Sequence, residues 1–251
     1  MTEPDPSLIA EVESPRTEAP ARGWSRPVGP PVTVILLRHG VTAHTTAKRF
    51  SGGLGGDNPG LSDDGRAQVR ASAEWIASMA TGVDAVVCSP VRRTRESAEI
   101  AASVLGLEVS EEPGFAEMEF GHWDGLTFAE VGERFAEEMA GWLGKLDVAP
   151  TGGESFVDVE DRVMAALDRL VAGHRGRTVL LVSHVTPIKT LVARALGAPL
   201  SSVFQMELAP ASVSVLSYYD DGDDGLTRGS MRLYNALPPT RSGTSAATTQ
   251  W

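Results

Sequence analysis

One pattern constrains this chain more than any other. Three times, a short and almost continuously apolar run breaks off into polar residues, with helix-like segments in between. The runs are VTVILL (32–37), DAVVCS (84–89) and TVLLVS (178–183). Each is too short for a helix and too evenly apolar for a strand wetted on one side. Each therefore predicts a strand buried on both faces. The intervening segments have helical apolar spacing. LSDDGRAQVRASAEWIASMA (61–80) opens with Ser62 as cap and two aspartates in its first turn. PVRRTRESAEIAASVLG (90–106) is expected to be capped by Ser89, with Pro90 first. FAEVGERFAEEMAGWLG (128–144) and FVDVEDRVMAALDRLVAGH (156–174) each read as one helix. PIKTLVARALG (187–197) is expected to start from Thr186 and stop at Gly197. SVSVLSYY (212–219) alternates apolar and polar and is expected to pair with SMRLYNAL across the polar DDGDDG turn. Strands alternating with helices specify an α/β fold, a three-layer sandwich with a mainly parallel sheet and helices on both faces.

Composition narrows the function. Of 251 residues, 42% are hydrophobic and 22% charged, enough for a sizeable core. Residues 1–31 and 238–251 are poor in large apolar side chains and are expected to be disordered tails or linkers around a domain at 32–237. No apolar run approaches the roughly 20 residues of a membrane span. The N-terminus lacks the basic-then-apolar order of a signal peptide, so a cytoplasmic protein without a membrane partner is expected. The net charge of −11 argues against a nucleic-acid surface but leaves room for a local arginine cluster that binds a small anion. Cys88 is the one cysteine, which rules out an internal disulfide. Its place in an apolar run suggests a small buried hydrophobe.

In a sheet of this kind, ligands sit at the carboxyl ends of the strands. There the first run ends in Arg38-His39-Gly40, the second in Ser89-Pro90 with Arg92, Arg93 and Arg95 close behind, and the third in Ser183-His184-Val185-Thr186-Pro187. If the three strands are neighbours, two histidines and at least one arginine converge with two helix N-termini. That set suits an anion: guanidinium forks match phosphate, and a neutral imidazole can form a covalent intermediate. Gly40 is expected to let the backbone turn sharply. A second, protonated histidine would add charge where it builds up in the transition state. His44, His122 and His174 are expected to be structural, and Arg92 and Arg95 to be solvated helix charges. Phe50 and Trp123 suit either the mouth of the site or the core.

LLRHGVT, SPVRRTRESA, AEMEFGHWDGLT and VSHVTPIK, in this order, resemble the histidine phosphatase superfamily, whose fold is phosphoglycerate mutase-like. The resemblance covers about residues 32–220 and lies on the phosphatase side, near α-ribazole phosphatase and acid phosphatase domains. It implies phosphoryl transfer through a phosphohistidine, on a small-molecule phosphate monoester, with no metal and no cofactor. By matching positions, it implies His39 as nucleophile and Arg38, Arg93 and His184 as phosphate clamp. It implies Glu117, rather than Glu119, as proton donor, and places Thr45, Ser51 and Gly52 near the phosphate or substrate. Val41, Thr45 and Val185 depart from the usual residues of the pattern. Two alternatives stand beside the phosphatase: a phosphoglycerate mutase, which usually carries a longer insertion before a segment like GGES, and a non-catalytic binding module on the same fold. Some domains that this chain resembles follow a ribonuclease H-like domain. No acidic nuclease constellation is visible, so no nuclease activity is expected. Specificity is expected to lie in 44–60 and 117–155.

Overall fold

The computed structural model describes residues 30–79, 82–220 and 227–239. Most of the two expected tails, 1–29 and 240–251, and the centre of the DDGDDG turn lie outside these residues. The described chain begins with β1 (Val32–Arg38), a short helix α1 (Ala43–Thr46) and the long α2 (Asp63–Met79). β2 (Ala85–Cys88), α3 (Arg92–Leu105) and β3 (Val109–Glu111) follow. α4 (Phe128–Arg134), α5 (Ala136–Gly144) and α6 (Phe156–Gly173) lead to β4 (Thr178–Ser183) and α7 (Val185–Leu196). The hairpin β5 (Val213–Asp220) and β6 (Thr227–Ala236) completes the fold.

The six strands form one sheet in the order β3-β2-β4-β1-β5-β6. The first four in that order run parallel, and β5 pairs antiparallel with both β1 and β6. Because β1, β2 and β4 lie inside the sheet, their side chains are buried on both faces. Ile35, Leu37, Val86, Cys88, Leu180 and Val182 pack on one side against Val69, Ala73 and Ile76 of α2 and Ala98 and Ala101 of α3. Val34, Leu36, Val87, Val179 and Leu181 pack on the other side against Val163, Leu167 and Leu170 of α6 and Ile188 and Leu191 of α7. The period-two alternation of a strand sends successive apolar residues into opposite cores. This is why the runs read as continuously apolar.

The structure departs from the sequence reading at several element ends. The helix expected over 128–144 is two, broken at Phe135, whose φ of −135° and ψ of 40° lie outside the helical range. Thr127 and Glu130 form a capping box on the first of them. α3 starts after Val91 rather than from Ser89, and α7 starts after His184 rather than from Thr186. The β3 edge strand carried no sequence signal of its own: VSE is only three residues long and half solvated. Ser62 does cap α2, accepting from the Gly65 N–H at 3.1 Å. Gly197 ends α7 in the left-handed conformation with φ 63°. No described helix is long and apolar enough to cross a membrane.

Candidate active site

β4 lies between β1 and β2, with Arg38 opposite Ser183 and Cys88 opposite Val182. This register levels the three strand ends that carry polar residues. The His39 N–H donates to the Ser183 carbonyl at 3.1 Å, and the His39 and His184 rings lie 5.2 Å apart between centroids. His39 Nδ1 lies 2.8 Å from the Gly40 carbonyl oxygen. A carbonyl only accepts, so Nδ1 carries the proton and Nε2 the lone pair. Arg93 Nε donates to that lone pair at 3.3 Å.

Gly40 is not a turn residue; it is absent from the positive-φ glycines. Its reason is close packing: a Cβ there would come within 2.8 Å of the Gly65 carbonyl carbon at the start of α2. What calls for glycine at 40 is thus tight packing against Gly65, not a left-handed backbone.

The two arginines are held from behind and leave donors free in front. Arg38 donates from Nη1 to the Leu208 carbonyl, while its Nε is buried without a partner. Arg93, 2% exposed, donates from Nη2 to the Ser51 and Gly52 carbonyls at 3.0 Å each, and its Nη1 is buried without a partner. Ser51 Oγ is likewise buried and unpartnered. Burial lowers both guanidinium groups to about 10, partly offset by the Glu117 carboxylate, so both remain cations at neutral pH. Burial first, then the charges of Arg93 and Arg38, hold His39 well below the usual imidazole range.

Glu117 is 5% exposed and lies on the N-terminus of α7. Its Oε2 accepts from the Val185 N–H at 3.1 Å, and its Oε1 from the Thr186 N–H at 3.3 Å and the Met118 N–H at 2.9 Å. Two orphan donors of the helix start thus orient the carboxylate. Arg38, His39, Thr45, Ser51, Arg93 and Glu117 all line one cavity of about 900 Å³.

His184 does not. It has no exposed surface; its Nε2 pairs with Ser89 Oγ at 2.9 Å, and its Nδ1 is buried and unpartnered. Burial, then Arg93, His39 and Arg38, hold it well below the imidazole range, so the protonated second histidine expected from sequence is neutral in this state. Ser89, expected as a helix cap, accepts from the Val91 N–H at 3.3 Å just ahead of α3 and serves this histidine as well. Gly52 also stands behind the cavity wall, reaching it through its carbonyl on Arg93. Thr45 lines the cavity with its hydroxyl 3.1 Å from that of Thr42.

Other residues sort as the sequence suggested, with additions. Phe50 lines the cavity, whereas Trp123 is fully buried in the core. Arg92 and Arg95 are exposed and paired with Glu96 and Glu111. Of the three histidines expected to be structural, His44 pairs with Asp57 at 3.1 Å and His174 Nδ1 meets the Leu170 carbonyl at 2.9 Å, whereas His122 is exposed to solvent rather than packed. Sequence reasoning missed Lys189, a cavity-lining cation on α7 whose pKa is lowered by burial. Its signal was its position one helical turn after Val185, on the same face. It also missed the aromatic wall. Phe120, Phe128 and Trp142 come from the expected 117–155 region, but Phe156 and Phe204 come from beyond it. Among the described residues, no group of three or more His, Cys, Asp or Glu is placed to hold a metal ion.

Residues 34–228 match the family described as the histidine phosphatase superfamily, branch 1. The chain belongs to this superfamily. It is 42% identical over 231 residues to the bifunctional protein Rv2228c of Mycobacterium tuberculosis, covering 92% of this chain and 60% of that protein. The chain therefore spans about three-fifths of that relative's length. It is 31% identical over 186 residues to phosphoserine phosphatase 1 of Hydrogenobacter thermophilus, covering 74% of this chain and 86% of the relative. The solved α-ribazole phosphatase of Shigella flexneri superposes with a TM-score of 0.69 at 25% identity, over 82% of this chain and 96% of that one. Both of the latter two proteins bear the name of a phosphatase.

Proposed function

We propose that this chain is a metal-independent phosphomonoester hydrolase that works through a phosphohistidine on His39. One observation carries the reading. Three buried donors without partners, Arg38 Nε, Arg93 Nη1 and Ser51 Oγ, belong to residues lining the cavity that also holds a neutral histidine with its lone pair on Nε2. Leaving buried polar groups unpaired is costly, and a bound phosphoryl group would satisfy them together.

The roles follow from this placement. Arg38, Arg93 and Ser51 hold the non-bridging oxygens. His39 Nε2 attacks phosphorus as the bond to the leaving oxygen breaks, and that oxygen takes its proton from Glu117. Water then enters, Glu117 takes a proton from it, the new oxygen bonds to phosphorus, and the bond to Nε2 breaks. His184 backs His39 and limits its ring to one orientation. Thr45 borders the substrate, Gly52 acts on it only through Arg93, and the aromatic wall takes the leaving group.

The test is phosphate release from p-nitrophenyl phosphate and a set of alkyl and sugar phosphates, with a chelator present, beside His39→Ala. Chelator-resistant release that disappears in the variant is the expected result. Release that survives the variant, or depends on metal, would refute the mechanism. Movement of phosphate between positions of phosphoglycerate without net release would mean a mutase, and neither activity would mean a binding module.

A further inference from the structure

The donors in the proposed phosphate site are not all aimed by the elements that carry them. Arg93 is fixed at its far end by two loop carbonyls, those of Ser51 and Gly52. These carbonyls belong to the glycine-rich stretch SGGLGGD (51–57), which forms no helix or strand and so has no ladder to set its shape.

Two carboxylates supply what a ladder would. Asp124 Oδ1 accepts from the Gly52 N–H at 2.5 Å, and its Oδ2 from the Asp57 N–H at 2.8 Å. Glu119 Oε1 accepts from the Leu54 N–H at 2.6 Å, and both its oxygens lie 3.2 Å from the Gly55 nitrogen. The fit is close. A Cβ on Gly53 would stand 2.5 Å from Glu119 Oε1, and one on Gly56 would be driven into the Asp124 carboxylate. Glu119 is itself anchored through its backbone. The Glu119 N–H donates to Glu154, which Arg162 grips with two bonds of 2.8 Å while also donating to the Gly114, Ala116 and Glu117 carbonyls. One connected frame thus carries both the backbone of Glu117 and, through the loop, the guanidinium of Arg93.

We propose that Asp124 and Glu119 are positioning residues: they lock the 51–57 loop so that its carbonyls orient Arg93 toward the bound phosphoryl group. The proposal rests on the phosphatase reading. Neither carboxylate lines the cavity, and each acts on the substrate only through Arg93.

A double-mutant cycle tests this. The reading is kcat/KM for p-nitrophenyl phosphate, with inhibition by inorganic phosphate, in wild type, Asp124→Asn, Arg93→Lys and the double variant. An asparagine keeps one acceptor and places an amide donor against the other N–H. Asp124→Asn is expected to lose roughly 10-fold in kcat/KM and to weaken phosphate inhibition in parallel; Arg93→Lys is expected to lose on the order of 100-fold. In the double variant the losses should not multiply, because residues that act as one unit are non-additive. Multiplied losses, or phosphate inhibition at the wild-type level in Asp124→Asn, overturn the proposal. If Arg93→Lys falls below detection, the phosphate inhibition of Asp124→Asn decides alone. If Asp124→Asn does not fold, Glu119→Gln enters the same cycle. Wild-type protein that releases no phosphate overturns the phosphatase reading and with it the reaction served by the frame. Wild-type activity with multiplied losses overturns this inference alone.

Discussion

Acid should destabilise this protein by an amount that follows from its two site histidines. In an unfolded chain a histidine titrates near about 6.5. In the fold, burial and then the neighbouring arginine charges hold His39 and His184 unprotonated well below that value. Below about pH 6.5 the unfolded chain therefore binds more protons than the folded one, and acid favours unfolding. The stabilising effect is fully present above that pH and is lost as pH falls. Each pH unit below it removes at most about 1.4 kcal/mol per histidine, so by about pH 5.5 the pair removes at most about 3 kcal/mol. For a domain of this size that lowers Tm by at most about 6–12 °C. Calorimetric melting of wild type and of a His39→Asn, His184→Asn double variant, at about pH 7.5 and about pH 5.5, isolates the effect from the carboxylates. The variant should lose less Tm on acidification by that difference. An identical acid-induced drop in both proteins would show that these imidazoles titrate normally in the fold and would refute the reasoning. The same neutrality should keep His39 nucleophilic on the acid side of the pH–rate profile.

Glu117→Gln keeps the shape of the side chain but has no proton to give. kcat/KM for alkyl phosphates, which reports formation of the phosphohistidine and so depends on that proton, should fall roughly 100-fold or more, and kcat/KM for p-nitrophenyl phosphate far less. Equal losses on both substrates would remove Glu117 from the proton-donor role. Gly40→Ala would push a methyl group against the backbone of Gly65, which has no flexible side chain to give way. A loss on the order of 1–3 kcal/mol is expected in denaturant unfolding, with reduced turnover as the end of β1 shifts. Unchanged unfolding and turnover would show that the contact yields freely.

Much of the architecture was legible in the chain because its signals are local. Continuous apolar runs such as TVLLVS read as strands buried on two faces, and the structure buries all but Thr178 of that run. The polar residues that end these runs marked the site, since an arginine and a histidine leaving a buried strand need a reason to be there. Resemblance then separated Glu117 from Glu119, two carboxylates of one motif, and the structure places only Glu117 in the cavity wall. Helix starts were legible where a side chain reaches a nearby N–H, as at Ser62. The starts expected from Ser89 and Thr186 were misplaced, and there distant segments take part: Ser89 bonds His184, 95 residues away, besides the Val91 N–H, and the Thr186 N–H bonds Glu117.

By itself, the sequence determined the α/β class, the strands that bear the site, and the kinds of side chain gathered there, because periodicity and strand-end chemistry are written along the chain. Only the tertiary structure decided that β4 lies between β1 and β2 and that His184 sits neutral behind His39. It alone decided that Gly40 answers to Gly65 and that two carboxylates shape a loop with no ladder of its own. Each of these depends on groups far apart in sequence meeting at a few ångströms, and on the burial that such meetings create. Local pattern carries no record of either.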